Sequence, residues 1–355
     1  MRPRPSSRKT LAPTTIRCGR AGTGTVPPFP DHRSYHGKND AINSKQRLEF
    51  LIKNYMILVP LFILYELYEG VSVMKILTRL AKSFVAGETA DEALKAVKKL
   101  NEKGIMSTLD VLGESVKNRE DADKAVQAYL DLLDTIPRAA LNSHVSLKLT
   151  QMGLDIDDEY CYQNLVKILN RAKEHNNFVR IDMEGSAHTQ RTLDIFYRLN
   201  KNFANVGIVI QAYLYRSEKD IQDLCKIKAK VRLCKGAYKE PKEIAIKKMK
   251  DIRKNFLKLS DMLFKEGIYP AIATHDDILI QATKDYVAEH RIPNDKFEFQ
   301  LLYGIRTMTQ QKLAEEGHRV RTYVPFGTHW LPYFYRRLRE RKENVFFVLK
   351  NFFKK

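Results

Sequence analysis

Short apolar runs rich in β-branched residues recur through the chain at 105–109, 144–149, 178–183, 206–213, 231–235, 269–274, 297–302 and 320–324. Between them lie stretches whose apolar residues return every three or four positions, at 121–135, 158–175, 188–203, 218–226, 244–266, 277–290 and 307–316. The first period predicts strands and the second amphipathic helices. Strict alternation of the two implies parallel strands joined by right-handed helical crossovers. Eight such units favour closure into a (β/α)8 TIM-like barrel of the α/β class over an open doubly wound sheet. No Gly-x-Gly-x-x-Gly turn supports the open form. The expected organisation is an extension at 1–45, helices at 46–100, and a barrel at 101–355 with a final helix over its mouth.

A barrel of this kind gathers its chemistry at the C-terminal ends of different strands. Those ends carry Asp110 and Glu114, Lys148, Asp182 and Glu184, Gln211 and Tyr213, the segment Lys235 to Tyr238, Thr274 to Asp276, Leu302 with Tyr303, and Tyr323. Polar groups at the ends of strands this apolar are costly unless paired or used. Lys148 and Asp182 are read either as an ion pair bracing the mouth or as working groups. The octamer Val231-Arg232-Leu233-Cys234-Lys235-Gly236-Ala237-Tyr238 runs a strand into a cationic turn, in which Gly236 and Ala237 let a flat anionic ligand approach the backbone. After the eighth strand, helical spacing puts Tyr333, Arg336, Arg337 and Glu340 on one side. The paired guanidiniums suit a bidentate carboxylate or phosphate, and a basic surface turn is the competing reading.

The formal charge of +19 raises the question of nucleic acid. Residues 1–55 hold eleven Lys/Arg against three Asp/Glu, so the body is only moderately basic. Its lysines, such as Lys247, Lys250, Lys254 and Lys258, fall at the spacing of a solvated helix face. With no recognised binding module, no nucleic-acid partner is expected. The four cysteines form neither a Cys-x-x-Cys motif nor a disulfide framework, which fits a reducing, cytoplasmic compartment. The nine histidines lack metal-ligand spacing, so no metal site is expected.

Residues 1–45, rich in Arg, Pro, Ser, Thr and Gly, read as an unfolded extension, either a transit peptide or the product of a mis-assigned start. The apolar run 55–65 is broken by Pro60 and falls short of the ~20 residues a spanning helix needs. The run 344–355 interleaves aromatics with lysines. It reads as an interfacial anchor on the inner face of the plasma membrane or as a terminal helix packed on the barrel.

Six motifs in order, Val145-Ser146-Leu147-Lys148-Leu149, Arg180-Ile181-Asp182-Met183-Glu184, Gln211-Ala212-Tyr213-Leu214, Arg232 to Tyr238, Ala273-Thr274-His275-Asp276 and Tyr333-x-x-Arg336-Arg337-x-x-Glu340, together resemble proline dehydrogenase. The resemblance is to the monofunctional bacterial type, related to the catalytic barrel of bifunctional proline utilisation A, and covers about residues 60–355. It implies non-covalent FAD, oxidation of L-proline to Δ1-pyrroline-5-carboxylate, electrons passed to a quinone, and a separate pyrroline-5-carboxylate dehydrogenase downstream. Carried over by motif, Lys148, Arg336 and Arg337 would clamp the substrate carboxylate, with Asp182 beside Lys148 on the polar floor. Tyr333 would pack on the pyrrolidine ring, Tyr323 and Tyr238 would border it, and Leu302 would supply apolar wall. Met183, Gln211, Arg232, Cys234, Lys235, Gly236, Ala237, Thr274 and His275 would surround the flavin, with Arg232 stabilising its reduced, anionic ring. Glu114 and Arg336 would form an ion-paired gate. Cys234 departs from the valine common at its position. The helix at 244–266 is richer in lysine than the family leads one to expect. On the residues alone, a Schiff-base aldolase using Lys148 or Lys235 and a basic scaffold without cofactor stay open.

Overall fold

Eight parallel strands close edge to edge in sequence order, β1 pairing with both β2 and β8. They are β1 (Met106–Val111), β2 (Ser143–Leu147), β3 (Val179–Ile181), β4 (Val206–Gln211), β5 (Lys230–Cys234), β6 (Ile268–Ala273), β7 (Glu298–Leu302) and β8 (Val320–Phe326). The computed structural model describes residues 83–331 and Tyr333. The extension at 1–45, most of the expected helices at 46–100, Arg336, Arg337, Glu340 and the run 344–355 lie outside the described residues.

The helices in chain order are α1 (Ala90–Asn101), α2 (Arg119–Arg138), α3 (Asp158–Glu174), α4 (Ser186–Asn200), α5 (Ser217–Lys226), α6 (Met249–Glu266), α7 (Asp277–Glu289) and α8 (Thr307–Glu315). Local chemistry sets several of their starts. Thr89 and Glu92 form a reciprocal capping box on α1, while Asn118, Asp157 and Asp276 accept from backbone N–H groups at the first turns of α2, α3 and α7. The eight expected strands and seven expected helices appear within a few residues, with one shift. Residues 244–248 are not helical; Ala245 bridges to Leu214, and Ile246 N–H donates to the Tyr213 carbonyl at 2.7 Å. That stretch is a strap beside the barrel mouth.

Strand alternation sorts the residues into two layers. Leu109, Val145, Leu147, Val179, Ile181, Ile208, Val231, Leu233 and Ile272 are all fully buried and pack against the helices as the main core. The other face turns into the barrel. There the usual bulky aliphatics give way to Asp110, Lys148, Arg180, Asp182, Arg232, Glu298, Arg321 and Tyr323. A barrel interior so polar is stable only if its groups pair, and they do. At its lower end Arg321 Nε lies 2.9 Å from Glu298, and Arg180 Nη1 donates to the Lys230 carbonyl at 2.6 Å. A register shift between β5 and β6 falls between Lys230 and Arg232, just before the residue that enters the site.

Candidate active site

The C-terminal ends of the strands surround a cavity of about 310 Å³, at the lower end of sizes usual for ligand pockets. Of the residues expected from sequence, Lys148, Asp182, Met183, Gln211, Arg232, Cys234, Lys235, Gly236, Ala237, Tyr238, Thr274, His275, Leu302, Tyr323 and Tyr333 all line it. Glu114 does not. It sits half-buried on the loop after β1. Arg336 and Arg337 fall outside the described residues, while Tyr333 is held in place by Phe84, Leu112, Ile305 and Trp330.

The polar floor is built from two pairs, Lys148 with Asp110 and Arg232 with Asp182. Lys148 Nζ turns to Asp110, at 2.9 and 3.0 Å from its two oxygens, rather than to Asp182. Asp182 instead receives Arg232 Nη1 at 2.7 Å, the Ser146 hydroxyl at 2.7 Å and the Tyr323 hydroxyl at 2.7 Å. Of the two readings of Lys148 and Asp182, the ion pair between them does not form, because Asp110, entirely buried on the neighbouring strand, has greater need of a cation. Burial opposes charge on Lys148, but Asp110 and then Asp182 outweigh it and hold the ammonium above its ordinary pKa. A Schiff-base nucleophile needs the opposite, an amine lowered toward neutrality. Tyr129 stands beneath, donating to the Ser146 carbonyl at 2.8 Å and accepting from Val111 N–H at 3.2 Å.

Arg232 keeps a donor open at the cavity wall. It is 5% exposed, and its Nε has no hydrogen-bond partner among the described residues. A buried guanidinium N–H left open at a cavity wall fits an acceptor edge on a bound ring, since an unpaired donor there is costly. Lys235, also expected beside the cofactor, is tied to Asp276 at 3.1 Å, which also receives Arg253 at 2.9 Å. Those cations overcome the burial of Asp276 and lower its pKa.

Gly236 meets a second requirement beside the one its sequence context implies. Its φ is 109°, and a Cβ there would stand 2.2 Å from the Tyr213 ring, so the glycine accommodates Tyr213. The ring in turn braces the turn from behind. His275 Nε2 accepts from Leu302 N–H at 2.9 Å, fixing the wall that Leu302 supplies, and Gln211 donates to the Glu184 carbonyl at 2.9 Å. Ser146 and Gln300 are neighbours of the site to which sequence reasoning gave no place, while Asp110 and Asp276 were placed at strand ends but given no role. Gln300 carried a usable signal, as a polar residue within a run otherwise apolar.

A closed (β/α)8 barrel with paired charges facing a pocket at the strands' C-terminal ends defines a barrel enzyme. A family model described as proline dehydrogenase matches residues 93–350. The chain belongs to the proline dehydrogenase family and is an enzyme of that kind. It is 44% identical to proline dehydrogenase 2 of Bacillus subtilis (strain 168) over 275 residues, 78% of this chain and 91% of that one. Identity to the proline dehydrogenase of Deinococcus radiodurans is 38% over 280 residues, covering 78% and 90%. Among solved structures, proline utilization A (PutA) from Bdellovibrio bacteriovorus, inactivated by N-propargylglycine, matches with a TM-score of 0.72 and 26% identity. That match covers 84% of this chain, which spans only 35% of the longer PutA chain.

Proposed function

We propose that the enzyme oxidises L-proline to Δ1-pyrroline-5-carboxylate with FAD as its resident cofactor and a quinone as the final electron acceptor. The observation that carries this reading is Arg232, buried at the cavity wall with its Nε open beside the Gly236–Ala237 turn. FAD, when bound, would supply the two-electron acceptor for loss of hydride from the ring carbon next to nitrogen as the nitrogen gives up its proton. Met183, Gln211, Arg232, the Cys234 backbone, Lys235, Gly236, Ala237, Thr274 and His275 are the residues that would hold it.

The chain's own groups do the positioning. Lys148, kept charged by Asp110, binds one side of the substrate carboxylate, and Arg336 and Arg337 complete the clamp. Tyr333 packs on the pyrrolidine ring, with Leu302, Tyr238 and Tyr323 enclosing it and excluding water. Asp182 orients Arg232 and Tyr323 through its two oxygens. Holding the carboxylate at one end and the ring at the other restricts the substrate to one reacting pose, which supplies much of the rate. Glu114 and Arg336 close over the bound substrate as an ion-paired gate. Among the described residues no helix is long and apolar enough to cross a membrane. In this reading the run 344–355 touches the inner face of the plasma membrane, where a quinone is met, and the product passes to a separate pyrroline-5-carboxylate dehydrogenase.

The test is an anaerobic absorbance spectrum with and without L-proline. Purified protein should be yellow and should bleach on adding proline. Colourless protein unable to take up FAD would overturn the reading. Arg337→Met should weaken proline binding at least about tenfold, the loss of one charge-assisted contact, while FAD binding stays within about twofold.

A further inference from the structure

The segment after β2 serves the site twice within four residues. Lys148 faces the cavity, and two positions on, Thr150 is fully buried with every polar group engaged. Its N–H donates to Glu184 Oε2 at 3.1 Å and its hydroxyl donates to Glu184 Oε1 at 2.6 Å. The hydroxyl has one proton, so its lone pairs are left to accept from Ser115 N–H, at 2.9 Å. The Thr150 carbonyl accepts from Val116 N–H at 3.2 Å. Next to it, Gln151 Nε2 donates to the Val111 carbonyl at 3.1 Å and fills the space where a side chain on Gly113 would stand.

Both feet of the loop 111–116 are thus pinned, at Val111 by Gln151 and at Ser115–Val116 by Thr150, with Gly113 and Glu114 forming the span. Ser115 holds φ 55°, a left-handed backbone that a serine adopts at a cost and keeps only where its surroundings impose it. The Thr150 hydroxyl both donates and accepts, which the similarly shaped valine could not do, so filling space does not account for it. Glu184 stands two residues beyond Asp182. A line therefore runs along the backbone from Asp182 on the floor to Glu184, and from there through the hydrogen bonds of Thr150 to the loop that bears Glu114.

We propose that Thr150 is a positioning residue for the Glu114 gate, setting the loop so that closure follows substrate binding at Lys148. This rests on the gate reading of Glu114 given above. Thr150→Val should raise the KM for proline about tenfold with kcat changed less than about twofold, because what is lost is binding shared by ground and transition states. Thr150→Ser, which keeps the hydroxyl, should restore the KM. A glutamate-specific protease should cut after Glu114 faster in Thr150→Val than in wild type. A non-oxidisable proline analogue, with oxygen in place of the ring nitrogen, should protect wild type more than the variant. Wild-type KM and wild-type cleavage in Thr150→Val would overturn the proposal, as would a serine variant as impaired as the valine one. Glu114→Gln separates the two ideas. If it leaves KM unchanged the gate reading falls, and the cleavage rates still decide whether Thr150 anchors the loop.

Discussion

Asp182 and Arg232, fifty residues apart in the chain, meet at 2.7 Å on the floor of the cavity, and the other Asp182 oxygen receives Tyr323 at the same distance. Three strands thereby share one carboxylate. Asp182 is the hub because its two oxygens separately receive the Arg232 guanidinium and the Tyr323 phenol. Asp182→Asn keeps an acceptor but removes the charge opposing Arg232. It should lower kcat/KM by at least about a hundredfold, or about 2.7 kcal/mol of transition-state stabilisation. Asp182→Ala also strands a buried cation and should lose about 3 kcal/mol of stability. Steady-state kinetics and thermal melts check both, and an asparagine enzyme within roughly threefold of wild type would remove Asp182 from that central role.

Tyr323 stays protonated far into alkali. Burial, then the charges of Asp110 and Asp182, push its phenol well above the usual value of 10.0. A group whose folded pKa is raised stabilises the fold fully below its unfolded pKa, and that contribution is lost as pH rises above it. Wild-type stability should therefore decline above about pH 10, and Tyr323→Phe should show a shallower alkaline slope. At neutral pH the same variant loses a hydrogen bond to a charged acceptor, about 1.5–3 kcal/mol. Denaturant titrations from pH 7 to 11 test this, and parallel slopes would count against it.

Gly236→Ala should cost more than an ordinary turn glycine. The new Cβ meets the Tyr213 ring at 2.2 Å and sits at φ 109°. Either strain displaces the turn that lines the cavity. Flavin retention through gel filtration should fall sharply in Gly236→Ala and recover in part in Gly236→Ala/Tyr213→Ala, where only the backbone strain remains. Full retention in the single variant would show that the turn absorbs the side chain.

The barrel was legible because alternating periods of two and nearly four residues leave few topologies, and the strand ends then located most of the lining. Pairing was another matter. β2 lies between β1 and β3, so Lys148 had an acid available on either side, Asp110 or Asp182, and sequence spacing does not rank them. The ranking comes from burial: Asp110 is wholly enclosed and takes the lysine, which releases Asp182 to Arg232. Gly236 was recognisable as a special backbone position, yet its neighbour, Tyr213 on another loop, is a tertiary fact. Residues 244–248 carried a helical pattern and became a strap, because Tyr213 and Tyr215 offer backbone partners that a helix would forgo.

Glu298 provides an acid-side test remote from the cavity. Burial alone would raise its carboxyl, but the charge and hydrogen bond of Arg321 outweigh that and lower it from 4.5 to about 2. A depressed pKa stabilises the fold above the unfolded value and is lost as pH falls through the folded one. The window is therefore pH 4.5 down to about 2, and the contribution at neutral pH is on the order of 3 kcal/mol. Glu298→Gln should be less stable at pH 7, since Arg321 is left buried without its partner. Its melting temperature should fall less steeply than that of wild type between pH 4.5 and 2, so that the two curves converge. Melts across that range read the difference directly. Curves that stay parallel would mean that the Glu298–Arg321 pair makes no pH-dependent contribution to the barrel.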